Sequence, residues 1–211
     1  MKKENGQQEK GSPTPGSSGK KIGLFGGTFD PIHIGHTIVA EWIWDALHLD
    51  RVIFIPNFIH PFHKRQGISD ARYRLRMLQL ALSDFPQFEI STIEIDREGV
   101  SYTIDTIRHF QQKYADTQLF LIVGTDNLHD FWKWKEPQNI LTEARMVVYN
   151  RKGFSVDPKF KKENIVFLET PHIEISSTEI RQRIQNKRAC QSLLHPGVYQ
   201  FIKEHKIYQS I

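Results

Sequence analysis

Only one of the 211 residues is a cysteine, Cys190, so the chain can form no internal disulfide and no CxxC metal or redox site. A lone thiol of this kind is expected to serve as a small buried hydrophobe. Long apolar runs are missing too. The longest, such as Val52-Ile-Phe-Ile55 and Leu119-Phe-Leu-Ile-Val123, fall far short of the ~18 to 20 residues that a membrane-spanning helix needs. The N-terminus lacks the apolar core of a secretory signal, and the expected address is cytoplasmic, with no membrane partner. Glycine (13) and proline (10) are too few and too scattered for a collagen-like or low-complexity chain. No GxGxxG string is present. The nearest approach to a P-loop ends at Gly19-Lys20, with Thr14 where glycine is needed and Lys21 where serine or threonine is needed. The formal charge is only +4, from 28 basic and 24 acidic residues spread along the chain, which gives no ground for a nucleic-acid partner.

What remains is ordinary globular usage: 39% hydrophobic, 25% charged and 11% aromatic residues, with ten histidines. Residues 1–20 contain no aliphatic residue after Met1 and read as a flexible tail. From Lys21 on, short apolar segments alternate with helical patterns. Ile22–Phe25, Val52–Ile55, Leu119–Val123, Met146–Tyr149 and Ile165–Leu168 read as buried strands, and Phe88–Ile95 as one broken or paired strand. His36–Leu47, Ala71–Leu82 and Thr103–Tyr114 read as helices; in the second, Tyr73, Leu75, Leu78, Leu80 and Leu82 fall mostly on one side. Such alternation predicts an α/β fold with a mainly parallel sheet and helices on both faces. Ser177–Gln185 and Pro196–His205 add a helical C-terminal appendage, with no strand after Leu168. In sheets of this kind ligands bind beyond the carboxyl ends of the strands, so the chemistry is expected just after Phe25, Ile55, Val123 and Leu168.

The segment after the first strand is Gly26-Gly-Thr-Phe-Asp-Pro-Ile-His33-Ile-Gly-His36. Adjacent glycines let backbone amides approach a ligand closely. His33 and His36, three apart at a helix start, place both rings in front of a helix N-terminus that itself carries partial positive charge. The combination suits a polyphosphate. Taken alone, the histidine pair would equally suit a zinc pair or two packed core rings, but no third ligand stands at a sensible spacing.

Four other segments carry chemistry. In Ile175-Ser-Ser-Thr-Glu-Ile-Arg181, Ser176 and Glu179 have capping-box spacing and Arg181 can reach phosphate oxygens; a well-capped surface helix is the alternative. Gly124-Thr-Asp126 follows a strand, and Asp126 suits either a nucleotide contact or a helix N-cap. Lys64, at the end of Ile55-Pro-Asn-Phe-Ile-His-Pro-Phe-His63-Lys64, is a mobile cation or part of a solvated basic loop with Arg65. Ser101-Tyr-Thr-Ile-Asp-Thr106 opens a helix, and Trp132 and Trp134 follow further on; each tryptophan suits ring stacking or the protein core.

The Gly26–His36 string resembles the GGxFDPxHxGH signature of the HxGH nucleotidyltransferases. From Lys21 to Tyr208 the chain is similar to bacterial nicotinate-nucleotide adenylyltransferases. The resemblance implies a Rossmann-like fold and a single nucleotidyltransferase domain over residues 21–211, its helical C-terminal part spanning about 176–211. It implies ATP contacts from Gly26, Gly27, Thr28, Phe29, His33, His36, Gly124, Asp126, Ser177, Thr178 and Arg181. Thr103, Trp134 and Lys135 would then hold the mononucleotide. Catalysis would fall to His33, His36, Lys64 and Arg181. The chain departs from the family pattern at Phe62, Lys135 and Lys152, where proline, tyrosine and proline are usual.

The partners implied are ATP and a pyridine mononucleotide, with Mg2+ arriving on the ATP and no dedicated metal site in the protein. The reaction implied is adenylyl transfer from ATP to nicotinate mononucleotide. Competing expectations are nicotinamide mononucleotide or another phosphorylated acceptor, and, in a different class, a nucleotide sensor that binds ATP without releasing pyrophosphate.

Overall fold

The structure is a computed structural model that describes residues 19–59, 61, 67–150, 160 and 164–209. Six strands form one sheet: β1 (Lys20–Gly27), β2 (Arg51–Pro56), β3 (Phe88–Ile90), β4 (Thr117–Gly124), β5 (Arg145–Tyr149) and β6 (Ile165–Leu168). Every pairing is parallel, in the order β3-β2-β1-β4-β5-β6. The order reverses between β1 and β4, which makes the crevice beyond their carboxyl ends the ligand-binding position of this topology. β1 takes in Lys20, the last residue of the stretch read as tail.

Eight helices accompany the sheet among the described residues: α1 (Ile34–Leu47), α2 (Ala71–Ala81), α3 (Ile93–Arg97), α4 (Thr103–Lys113), α5 (Thr125–Leu128), α6 (Pro137–Glu143), α7 (Ser177–Gln185) and α8 (Pro196–Glu204). Strand side chains alternate faces. Phe25, Val52, Phe54, Phe120, Ile122 and Val147 point to one side and pack with Val39, Ile43, Met77 and Leu78 of α1 and α2. Ile22, Leu24, Ile53, Ile55, Leu121 and Val148 point to the other and pack with Ile104, Ile107, Ile140 and Leu141 of α4 and α6. Both faces are covered, as the uninterrupted apolar strands require. The C-terminal helices are built into the first core through Ile180, Val198 and Ile202, and Cys190 is buried beside them.

Two local expectations change. Phe88–Ile95 is a strand only as far as Ile90; Ile93 opens α3. The helical turn buries Glu94, where Thr106 Oγ1 donates to it at 2.6 Å, a partner the extended reading did not supply. On α2 the buried face is Arg74, Met77, Leu78 and Ala81, an i, i+3, i+4, i+7 stripe, whereas Tyr73 is 40% exposed. The expected leucine-and-tyrosine face is rotated because an arginine occupies the inward position.

Candidate active site

The loop from Thr28 to His33 leaves β1 and enters α1. Phe29 stands at φ +50, a left-handed conformation that a bulky residue holds only under external restraint. Here the restraint is burial: its ring is 2% exposed and packs edge-on to Phe25 at 5.8 Å and to His36 at 5.1 Å. The Asp30–Pro31 bond is cis. Asp30 is buried; its carboxylate accepts from Tyr208 Oη at 2.6 Å and from the Ser69 amide at 3.1 Å. Its carbonyl accepts from Arg181 Nη1 at 2.7 Å, and the Pro31 carbonyl accepts from Ser177 Oγ at 2.8 Å. Thus α7 and the end of the chain hold the loop from outside.

His33 and His36 stack, with ring centroids 3.7 Å apart and planes at 28°. The backbone N–H of His33 donates to His36 Nδ1 at 3.2 Å. With Nδ1 accepting, the neutral His36 ring carries its proton on Nε2, so a donor is available at the far end of the ring. His36 borders a cavity of about 480 Å³ beyond the ends of β1 and β4. His33 is 5% exposed and lies behind it.

The lining of this cavity includes Gly26, Gly27, Thr28, Phe29, His36 and Ser177. Ser177 is the first residue of α7, whose N-cap Ser176 accepts from the Glu179 amide. His36 and Ser177 belong to the first turns of α1 and α7, so the cavity borders the positive ends of two helix dipoles. The lining also includes Ser101, Tyr102, Thr103, Thr106, Trp134 and Lys135. Lys135 Nζ pairs with Asp105 at 3.0 Å and lies 4.8 Å over the Tyr102 ring, so this wall is held by charge and by ring together. Glu94 also faces the cavity. Burial pushes its carboxyl above the usual range, against hydrogen bonds from Thr106 and Ser101 and the nearby Arg97. Gly124, also on the lining, closes β4 so tightly that a Cβ there would collide with the Asp126 carboxylate and crowd the Tyr149 ring.

The Cytidylyltransferase-like family model matches residues 24–183. A protein of Clostridium tetani named probable nicotinate-nucleotide adenylyltransferase is 38% identical over 200 residues, covering 90% of this chain and 100% of that one. The nicotinate-nucleotide adenylyltransferase of Bacillus subtilis is 36% identical over 191 residues, again covering 90% and 100%. The chain belongs to the nicotinate-nucleotide adenylyltransferase family. Its fold agrees with that of Plasmodium falciparum nicotinic acid mononucleotide adenylyltransferase complexed with NaAD, at a TM-score of 0.77 over 90% of this chain and 97% of that one. With 18% sequence identity, that likeness speaks for the fold.

As a member of this nucleotidyltransferase family the chain brings most of the expected residues to one cavity. Gly26, Gly27, Thr28, Phe29, His36, Gly124, Ser177, Thr103, Trp134 and Lys135 all line it. His33 supports His36 from behind instead of sharing the front. Arg181 and Thr178 stand beside the loop, linked by Arg181 Nη2 donating to Thr178 Oγ1 at 3.3 Å. The α5 N-cap is Gly124, and Asp126 lies one residue inside the helix with its carboxylate turned back toward Gly124; Asn127 takes the place on the lining. Lys64, Phe62 and Lys152 lie outside the described residues. The two tryptophans separate cleanly: Trp134 lines the cavity, while Trp132 stacks on Phe160 at 5.5 Å and 13°. Glu94, Asn57, Ser101 and Thr106 were not expected. Ser101 and Thr106 flank Thr103 in a string already singled out, so one turn of α4 was the available signal; Glu94 was hidden by its strand-like surroundings.

Proposed function

We infer that this chain transfers the adenylyl group of ATP to nicotinate mononucleotide, releasing pyrophosphate and forming deamido-NAD in NAD biosynthesis. One observation carries the reading: a single cavity at the sheet's switch point is lined both by His36 and Ser177, in the first turns of α1 and α7, and by the ring of Trp134. That is the layout two substrates need to meet at one phosphorus. An oxygen of the mononucleotide phosphate bonds to the α-phosphorus of ATP, and the bond from that phosphorus to the bridging oxygen of pyrophosphate breaks in line. A phosphate monoester is already anionic near neutral pH, so the protein supplies position and charge neutralisation.

In this reading His36 donates from Nε2 to the α-phosphate and His33 holds it in register. Ser177, Thr178, Arg181 and Lys64 receive the β- and γ-phosphates, and Gly124 and Asp126 the adenosine. Trp134 stacks on the pyridine ring, and Thr103 with Lys135 meets the carboxylate. Magnesium belongs to the substrate as Mg-ATP. Among the described residues no helix is long and apolar enough to cross a membrane. The test is pyrophosphate release from ATP with nicotinate mononucleotide, nicotinamide mononucleotide and unrelated phosphomonoesters. A kcat/KM highest for nicotinate mononucleotide is expected; equal or greater turnover of another acceptor would overturn the substrate, and ATP binding without turnover would overturn the enzyme.

A further inference from the structure

Arg74 is 2% exposed, on the inward face of α2 beside Met77 and Leu78. Its Nε donates to the Ser69 carbonyl at 3.2 Å, Nη1 to the Thr28 carbonyl at 2.9 Å and Nη2 to the Asn57 carbonyl at 2.8 Å. The three acceptors belong to three different stretches: the approach to α2, the loop after β1 and the loop after β2. Taking a permanent charge out of water is costly, and an aliphatic side chain at this inward position would leave those three carbonyls without these donors. A planar guanidinium does something an aliphatic chain does not: its donors leave in fixed directions and set the spacing of whatever accepts them. Thr28 and Asn57 both line the cavity, so the spacing set here is that of the cavity's own walls.

We propose that Arg74 is a positioning residue for adenylyl transfer, holding the Thr28–Phe29 peptide so that its N–H is presented to the phosphates of the bound nucleotide. In a trans peptide the C=O and N–H point in opposite directions, and Asp30–Pro31 is the one cis bond among the described residues. With the Thr28 carbonyl drawn inward onto Arg74, the Phe29 N–H is turned away from the core, at a residue that borders the cavity. Asn57 braces the preceding peptide and the Thr28 side chain: its backbone N–H donates to the Gly27 carbonyl at 3.0 Å and its Nδ2 to Thr28 Oγ1 at 3.2 Å. Phe29 at φ +50 is the kind of backbone that needs such support.

The proposal rests on the adenylyl-transfer reading of the cavity, and the experiment separates the two. The full chain and its R74K, R74M and R74A forms are compared by thermal melting, by calorimetric ATP binding, and by kcat and KM for each substrate. R74K keeps the charge but not the fork. It and R74M are expected to lose about ten- to hundredfold in kcat and to bind ATP about tenfold more weakly, while KM for the mononucleotide moves less than about threefold. Millimolar guanidinium ion should restore part of the R74A rate and none of R74M's, whose side chain fills the space. Folded R74K with kcat and ATP affinity within about twofold of the parent overturns the proposal, as does an equal rise in both KM values without rescue. If R74M and R74A do not fold, R74K decides. If the parent binds ATP but does not adenylylate nicotinate mononucleotide, the acceptor reading fails alone, and the ATP affinity of R74K still judges Arg74.

Discussion

Tyr208 Oη donates to Asp30 Oδ1 at 2.6 Å, joining residues 178 positions apart. The last described turn of the chain is thereby fastened to the Gly26–His36 loop, whose other supports include Ser69, Arg74, Ser177 and Arg181. The C-terminal helices thus serve the site as well as the core.

Removing that hydroxyl leaves a buried carboxylate short of one donor, a loss of ~1–3 kcal/mol. Tyr208→Phe is expected to melt lower by about 2 to 12 °C, at ~2–4 °C per kcal/mol for a chain of this size. Burial first, and the Asp30 carboxylate second, hold the Tyr208 phenol well above its ordinary value. A folded-state pKa that is raised gives stability present in full below the unfolded value of ~10 and lost as pH rises beyond it. Melting curves between pH 8 and pH 11, as rough bounds around that value, should show the parent falling toward Tyr208→Phe at the alkaline end. A constant difference across the range would refute the coupling.

Glu94 works in the same sense at lower pH. Burial raises its carboxyl, so its contribution to stability is complete below the unfolded value of ~4.3 and declines as pH rises through the folded one. Glu94→Gln keeps an oxygen for the Thr106 hydroxyl and removes the charge. The melting temperature of Glu94→Gln minus that of the parent is therefore expected to grow between pH ~4 and pH ~7. A difference that shrinks over that interval would show Glu94 stabilised as an anion.

How much of this was legible from residues alone divides along physical lines. Strands such as Val52–Ile55 and Leu119–Val123 announced themselves because burial on both faces demands an uninterrupted apolar run. The Gly26–His36 loop was legible because few chemistries require that many specific residues in one string. α3 was not. Ile93-Glu-Ile95 alternates like a strand, and only the tertiary partner of Glu94 at Thr106 decides for the helix. Nor did the α2 pattern reveal its inward face, because hydropathy counts Arg74 as solvent-facing, whereas three carbonyls from distant stretches make the interior its place. Likewise, two histidines three apart share a helix end, but which of them fronts the cavity depends on the Phe29 ring and on β1 behind it.

That difference between the histidines is measurable. His36 offers Nε2 to the cavity, so His36→Ala is expected to lose about 10²–10³ in kcat, the usual loss for one donor to developing charge, with the fold retained by circular dichroism. In the free protein the ¹⁵N shifts of His36 should report a neutral ring protonated at Nε2, as the bond from His33 N–H to Nδ1 requires. An Nδ1-protonated ring, or near-parental turnover in His36→Ala, would remove the residue from the chemistry.

The two tryptophans should separate binding from packing. Trp134 lines the cavity, whereas Trp132 stacks on Phe160 and meets Phe131 edge-on at 5.3 Å. Losing a stacking face costs ~1–3 kcal/mol for a bound base, so Trp134→Ala is expected to raise the KM for nicotinate mononucleotide about ten- to hundredfold and to leave the KM for ATP nearly unchanged. Trp132→Ala should do the opposite, lowering the melting temperature while both KM values stay close to the parent's. Steady-state kinetics on both variants, beside their melting curves, checks the pair. If Trp132→Ala weakened the mononucleotide and Trp134→Ala did not, the aromatic wall would have to be built from the other ring, and the acceptor's place moved toward Phe160.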